Sequence, residues 1–126
     1  MARDTIIIYI CGVYSLGVAI FHALFWRLFD WKNDLKKISF ANRAIIQIAN
    51  TRLIYFFMFV AFVCFFYTNE LIETRLGNVF LIGNSIFWLG RTIEQFIFLG
   101  TKNRIVNILT FVFAIGPVLF VLPLIG

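Results

Sequence analysis

Arg91, Glu94 and Gln95 fall within about one helical turn inside a long apolar run, with Asn84 and Trp88 upstream in the same stretch. A guanidinium grips a carboxylate or phosphate through two parallel hydrogen bonds, so this run offers anion recognition. Charged groups at membrane depth ordinarily face protein or a watery cavity, because hydrocarbon solvates them badly. At about 100° per residue, Asn84, Phe87, Trp88, Arg91, Glu94 and Gln95 share one arc. Ile82, Ile86, Leu89, Ile93 and Ile97 take the opposite arc, so the polar arc is expected to face inward. A second role stands beside anion binding. Arg91 and Glu94 are spaced to pair along the helix and serve only as packing glue.

Other residues of the same chemistry lie on two further apolar runs: His22 on the first, and Arg43, Gln47 and Asn50 on the second. Together with Arg91 they would suit a pocket for an amphipathic anion, such as a lipid, a fatty-acid derivative or a glutathione conjugate. Trp26 and Trp88 would hold its apolar tail. The plainer alternatives are that His22 is a hydrogen-bonded packing residue and that Gln47 and Asn50 bridge helices. No nucleophile with a base beside it, no catalytic carboxylate pair and no phosphate loop is recognisable, so the sequence leaves open whether the chain is an enzyme. The two cysteines, Cys11 and Cys64, have no CxxC spacing and no histidine cluster. No metal or other cofactor is expected. A disulfide between them is sterically open, but free cysteine is among the most buried residue types, and buried packing is expected.

The elements that must position these groups follow from composition. Of 126 residues, 62% are hydrophobic, 17 are Phe and only 13% are charged, against roughly a quarter charged in soluble domains. A soluble domain of this size lacks the interior volume to hide so much apolar surface, so lipid is the expected solvent. The expected fold is all-α: a polytopic membrane protein of one domain, residues 1–126, with four transmembrane helices in a bundle. The spans fall at about 5–26, 44–68, 76–100 and 105–125. The first contains His22 and bulky aromatics and precedes no A-x-A site, so it reads as a retained helix and not a signal peptide. On it, Gly12, Ser15, Ala19, His22, Ala23 and Trp26 form a stripe that invites close helix packing. Leu28, Trp31, Leu35 and Ile38 recur at helical spacing among Lys and Asp, which makes the first connection basic and amphipathic. Ser39 or Asn42 can cap the second span, and Gly116-Pro117 is expected to kink the fourth.

The net charge of +5 sits between the apolar runs and not on a soluble face, which excludes nucleic acid as a partner. The first and third connections carry Arg27, Lys32, Lys36, Lys37, Arg43, Lys102 and Arg104, whereas the opposite side carries Arg3 and Arg75 beside Asp4, Glu70 and Glu73. The positive-inside rule then places both termini on the non-cytoplasmic side, with a bacterial inner membrane as the expected location. In that topology His22, Asn50, Glu94, Asn107 and Thr110 all lie within about six residues of the cytoplasmic ends of their helices. They form one polar layer in the cytoplasmic half.

Arg43-Ala44 with Gln47 and Asn50, and Gly90-Arg91 followed by basic Lys102 and Arg104, resemble two motifs of the MAPEG membrane proteins of eicosanoid and glutathione metabolism. Gln47 stands where that family has Asn, and Asn50 where it has Glu. The resemblance implies a four-helix trimer with glutathione sites between subunits at the cytoplasmic side. The chain resembles equally the small uncharacterised four-helix membrane proteins of bacteria, which implies no function. Three classes of function therefore stand: a binder of an amphipathic anion or lipid, a structural subunit of a homo-oligomer or larger membrane complex, and a MAPEG-like glutathione-dependent enzyme.

Overall fold

The computed structural model describes residues 2–125, which are helical almost throughout, with no strand among them. Seven α-helices follow in order: α1 (Ala2–Ala23), α2 (Phe25–Leu28), α3 (Trp31–Asp34), α4 (Phe40–Phe66), α5 (Thr68–Glu73), α6 (Arg75–Phe98) and α7 (Arg104–Val121). Short 3-10 turns occupy Leu35–Lys37 and Leu122–Leu124. Three helices are long and apolar enough to cross a membrane: Ala2–Ala23, Phe40–Phe66 and Arg104–Leu124, with mean hydropathies of 2.0, 1.8 and 2.5. At about 1.5 Å per residue each reaches the roughly 30 Å of a hydrocarbon core. The protein is thus a membrane protein by the length and composition of its helices. The run expected at 76–100 is a helix of comparable length, 24 residues in α6, but Arg75, Arg91, Glu94 and its amides dilute its apolar character.

The helix ends have local causes. Ser39 Oγ accepts from the Asn42 amide at 3.3 Å and opens α4. Thr74 Oγ1 accepts from Gly77 N at 2.9 Å and opens α6, and Asn103 Oδ1 accepts from the amides of Ile105 and Val106 and opens α7. Each cap satisfies donors that a helix start leaves without intrahelical partners. Gly100, with φ of 70°, lets the chain leave α6 in a left-handed conformation.

The amphipathic stripe expected over 28–38 does not run as one helix. Asp30 adopts φ 50° and ψ 48°, a left-handed conformation that a short polar side chain tolerates, and this splits the segment into α2 and α3. Its carboxylate accepts from Asn33 Nδ2 at 3.0 Å. Beyond the break Leu35 is buried and Trp31 half-buried, while Leu28 before it is exposed.

Two compact units divide the chain, one formed by residues up to Cys11 together with those from Cys64 onward, the other by Gly12–Val63. In the first, α6 and α7 form an antiparallel hairpin: Ser85 Oγ donates to Pro117 O at 2.7 Å, Trp88 stacks on Phe113, and Gln95 reaches Val106 O. Leu81, Trp88, Phe113 and Phe120 are its buried apolar residues on these helices. The Arg3 guanidinium donates to the carbonyls of Leu122 and Ile125, and Cys11 Sγ to Leu119 O. Cys11 and Cys64 are both free and buried, as packing residues are. In the second unit, Val18, Ala19 and His22 of α1 and Asn50, Phe57, Val60 and Ala61 of α4 are buried. Of the expected small-residue stripe, Gly12, Ser15, Ala19 and His22 are buried, but Ala23 is exposed.

Gly77 lies against the backbone of α5. A Cβ there would overlap the backbone of Glu70 and Leu71 in α5, whereas one at Gly83 meets nothing within 4 Å. Gly77→Ala is expected to destabilise the protein by about 1–3 kcal/mol through forced backbone movement. Gly83→Ala is expected to be neutral or stabilising by up to about 1 kcal/mol through helix propensity. Unfolding titrations in mixed micelles measure both, and equal behaviour of the two variants would refute the close approach.

Candidate functional site

Two groups of polar residues are built by these elements, one in each unit. In the first unit, Gln95 projects from the last turns of α6 and is fully buried. Its Oε1 accepts from Arg91 Nη1 at 2.9 Å, and its Nε2 donates to Val106 O at 3.3 Å across the hairpin. The Arg91 guanidinium also lies 4.7 Å from the Phe113 ring centroid, in cation–π geometry. Trp88, 1% exposed, stacks on the same ring at 5.7 Å. Arg91 is thus held by an amide and an aromatic face. Glu94 is exposed, and the ion pairs among the described residues join Arg3 to Asp4 and Lys37 to Asp34, not Arg91 to Glu94. The pairing expected from their spacing is replaced by the Arg91–Gln95 bond one residue further on. Asn84 is buried: its Nδ2 donates to Phe80 O at 2.9 Å, and its Oδ1 has no partner among the described residues.

In the second unit, Asn50 Nδ2 donates to the His22 carbonyl at 2.9 Å and ties α4 to α1. The His22 ring, buried, places Nδ1 2.9 Å from Val18 O and packs on Phe25 and Phe57. These two residues are engaged in joining helices. Further along, Trp26 Nε1 donates to Gln47 Oε1 at 2.9 Å, while Gln47 Nε2 donates to Arg43 O. Trp26 and Trp31 meet edge to face at 5.2 Å.

Around that Trp26–Gln47 bond the surface is concave. One cleft of about 390 Å³ is lined by Trp26, Trp31, Lys32, Leu35, Lys36, Arg43 and Gln47. A second, of about 370 Å³, is lined by Trp26, Gln47, Ile48, Thr51 and Arg52. Both share Trp26 and Gln47. Asp34 pairs with Lys37 at 3.5 Å and Asp30 holds Asn33, so no acidic group among the described residues pairs with Lys32, Lys36 or Arg43. The first cleft therefore combines an aromatic wall with three cations, a chemistry that accepts a negatively charged head beside an apolar body.

Of the residues singled out from sequence, Arg43 and Gln47 thus line a cleft, His22 and Asn50 join helices, and Arg91, Gln95 and Trp88 form the α6–α7 cluster. Trp31, Lys32 and Lys36 also line the cleft and were not singled out as candidates, because in sequence the two lysines bore only on topology. Their signal was there: Lys32 and Lys36 are spaced one helical turn apart and alternate with Trp31 and Leu35. Comparison of the chain with protein-family models, with curated proteins and with solved structures found no match.

If Gln95 holds Arg91 and Val106 together, Gln95→Leu strands a guanidinium donor and removes the bond across the hairpin, and is expected to cost about 1–2 kcal/mol. A double-mutant cycle should give a coupling of at least about 0.5 kcal/mol for Arg91 with Gln95 and a smaller one for Arg91 with Glu94. The reverse order would restore the ion pair.

Proposed function

We propose that this protein binds an amphipathic anion, an anionic lipid in the simplest case, in the cleft of Trp26, Trp31, Lys32, Leu35, Lys36, Arg43 and Gln47. The observation that carries this reading is the convergence of three cations without acidic partners on one aromatic-walled cleft. Tryptophan and lysine side chains suit the headgroup level of a bilayer, where an apolar tail and a charged head are presented together. In this reading α6 is a fourth span, its polar arc turned from lipid. The basic segment between α1 and α4 then lies at the cytoplasmic face, and both termini lie on the other side.

The α6–α7 cluster favours a second role for part of the polar layer. Arg91, Gln95 and Val106 O satisfy one another, as packing glue in a structural subunit or oligomer would. The MAPEG resemblance makes glutathione a further ligand, and thermal stabilisation by millimolar glutathione is what an enzyme of that kind would display.

Native mass spectrometry of the purified protein tests the anion reading. Wild type is expected to carry anionic lipid, Arg43→Gln to lower its occupancy about fivefold, and Arg91→Gln to leave it unchanged. A wild type that binds no anionic lipid would sink the proposal, and loss in Arg91→Gln alone would move the anion to α6. For topology, a cysteine appended after Gly126 should react with an impermeant maleimide from outside the cell; labelling only after lysis would invert the orientation.

A further inference from the structure

The geometry points to a ligand head of two negative charges, a phosphate monoester dianion, in the cleft of Lys32, Lys36 and Arg43; the inference rests on the anion reading above. The charge count comes from what the neighbourhood leaves over. Between residues 30 and 43 the acids are Asp30 and Asp34 and the bases Lys32, Lys36, Lys37 and Arg43. Asp34 is engaged by Lys37, at 3.5 Å, and Asp30 by the Asn33 amide, at 3.0 and 3.2 Å. The three cations without an ion-pair partner, Lys32, Lys36 and Arg43, are those that line the cleft, and with Asp30 still charged the segment keeps a net +2, which a dianion balances.

Three cations around one concavity repel each other, and a monoanion leaves that repulsion largely in place. A phosphate monoester brings nearly two charges and three acceptor oxygens, enough for a bidentate contact with Arg43 and one with each lysine. Gln47 is fixed in the wall of the cleft, its oxygen accepting from Trp26 and one N–H donating to Arg43 O. The indole of Trp26 is committed by the same bond, which leaves the Trp26–Trp31 edge-to-face pair as an apolar wall. A volume of about 390 Å³ admits a phosphate with its glycerol-sized neighbour and leaves acyl chains outside. The same dianion could be presented by a lipid head or by a free phosphate.

The test is native mass spectrometry of the full chain with phosphatidic acid and phosphatidylglycerol of identical acyl chains, with phosphatidylcholine as the neutral reference. Phosphatidic acid is expected to bind about tenfold tighter than phosphatidylglycerol. Lys32→Gln and Lys36→Gln, both at exposed positions, should each remove about fivefold of its affinity without shifting thermal unfolding. Equal binding of the two anionic lipids would overturn the dianion preference and leave the anion reading standing. Binding of neither above phosphatidylcholine would overturn both. A preference that survives in Lys32→Gln and Lys36→Gln would remove the cleft as its source. Millimolar inorganic phosphate separates the two presentations: displacement of the lipid assigns the dianion to a soluble phosphate, and undiminished lipid binding assigns it to the bilayer.

Discussion

Hydrocarbon offers no hydrogen bonds, so polar groups in the membrane-crossing helices must find partners inside the chain. This constraint explains a habit repeated through the structure. His22, Thr51 and Thr110 each place a side-chain polar atom on the carbonyl four residues earlier in their own membrane-length helix, and Asn84 and Thr92 do the same within α6. Such back-bonding is slightly unfavourable in water, where the side chain has better choices. Here it lets a polar residue sit on an apolar helix without an unsatisfied donor. The exposed faces can then be almost wholly apolar, with Ile6, Val13, Phe66, Phe98 and Phe111 each more than half exposed.

Once local bonds have absorbed most polar side chains, the few that cross between helices acquire the work of registration. Asn50 fixes α4 against the His22 carbonyl, and Ser85 and Gln95 fix the α6–α7 hairpin at two heights. A buried hydrogen bond in a membrane contributes only about 0.6 kcal/mol on average, less than the apolar packing around it. What such a bond supplies is discrimination. Sliding α7 by one turn would take the Val106 carbonyl away from Gln95 Nε2 and leave that donor without its partner.

This also marks what the sequence could and could not convey. The long helices were legible because long apolar runs separated by short polar connections leave little choice of boundary; Ser39 caps α4 as expected, while the caps at Thr74 and Asn103 emerge from the structure. The interior polar arc of α6 was legible for Asn84, Trp88 and Gln95, which are all buried. Glu94 was not, since helical periodicity gives an arc its width but not its edge, and Glu94 falls beyond that edge, exposed. Nor did spacing decide which neighbour would take the Arg91 proton donors. Residues three and four away compete, and the buried amide of Gln95 prevails because it simultaneously meets Val106 O. The cleft was the least legible feature. It depends on the left-handed turn at Asp30, a backbone choice that no periodicity announces.

That turn ties the charges to the fold. A continuous helix from α1 onward would have spread Lys32 and Lys36 along a rod. By breaking at Asp30 the chain instead brings Trp31 against Trp26, buries Leu35, and sets the two lysines around the same concavity as Arg43. Asp30 contributes twice: its backbone accepts the left-handed conformation, and its carboxylate is held by the Asn33 amide and not by one of the lysines. Leaving cations unpaired within one cleft raises the energy of the empty protein by their mutual repulsion. Under the proposed reading, an anion that relieved this repulsion would bind more tightly than its contacts alone would give, against a wall that the Trp26–Gln47 bond holds in place.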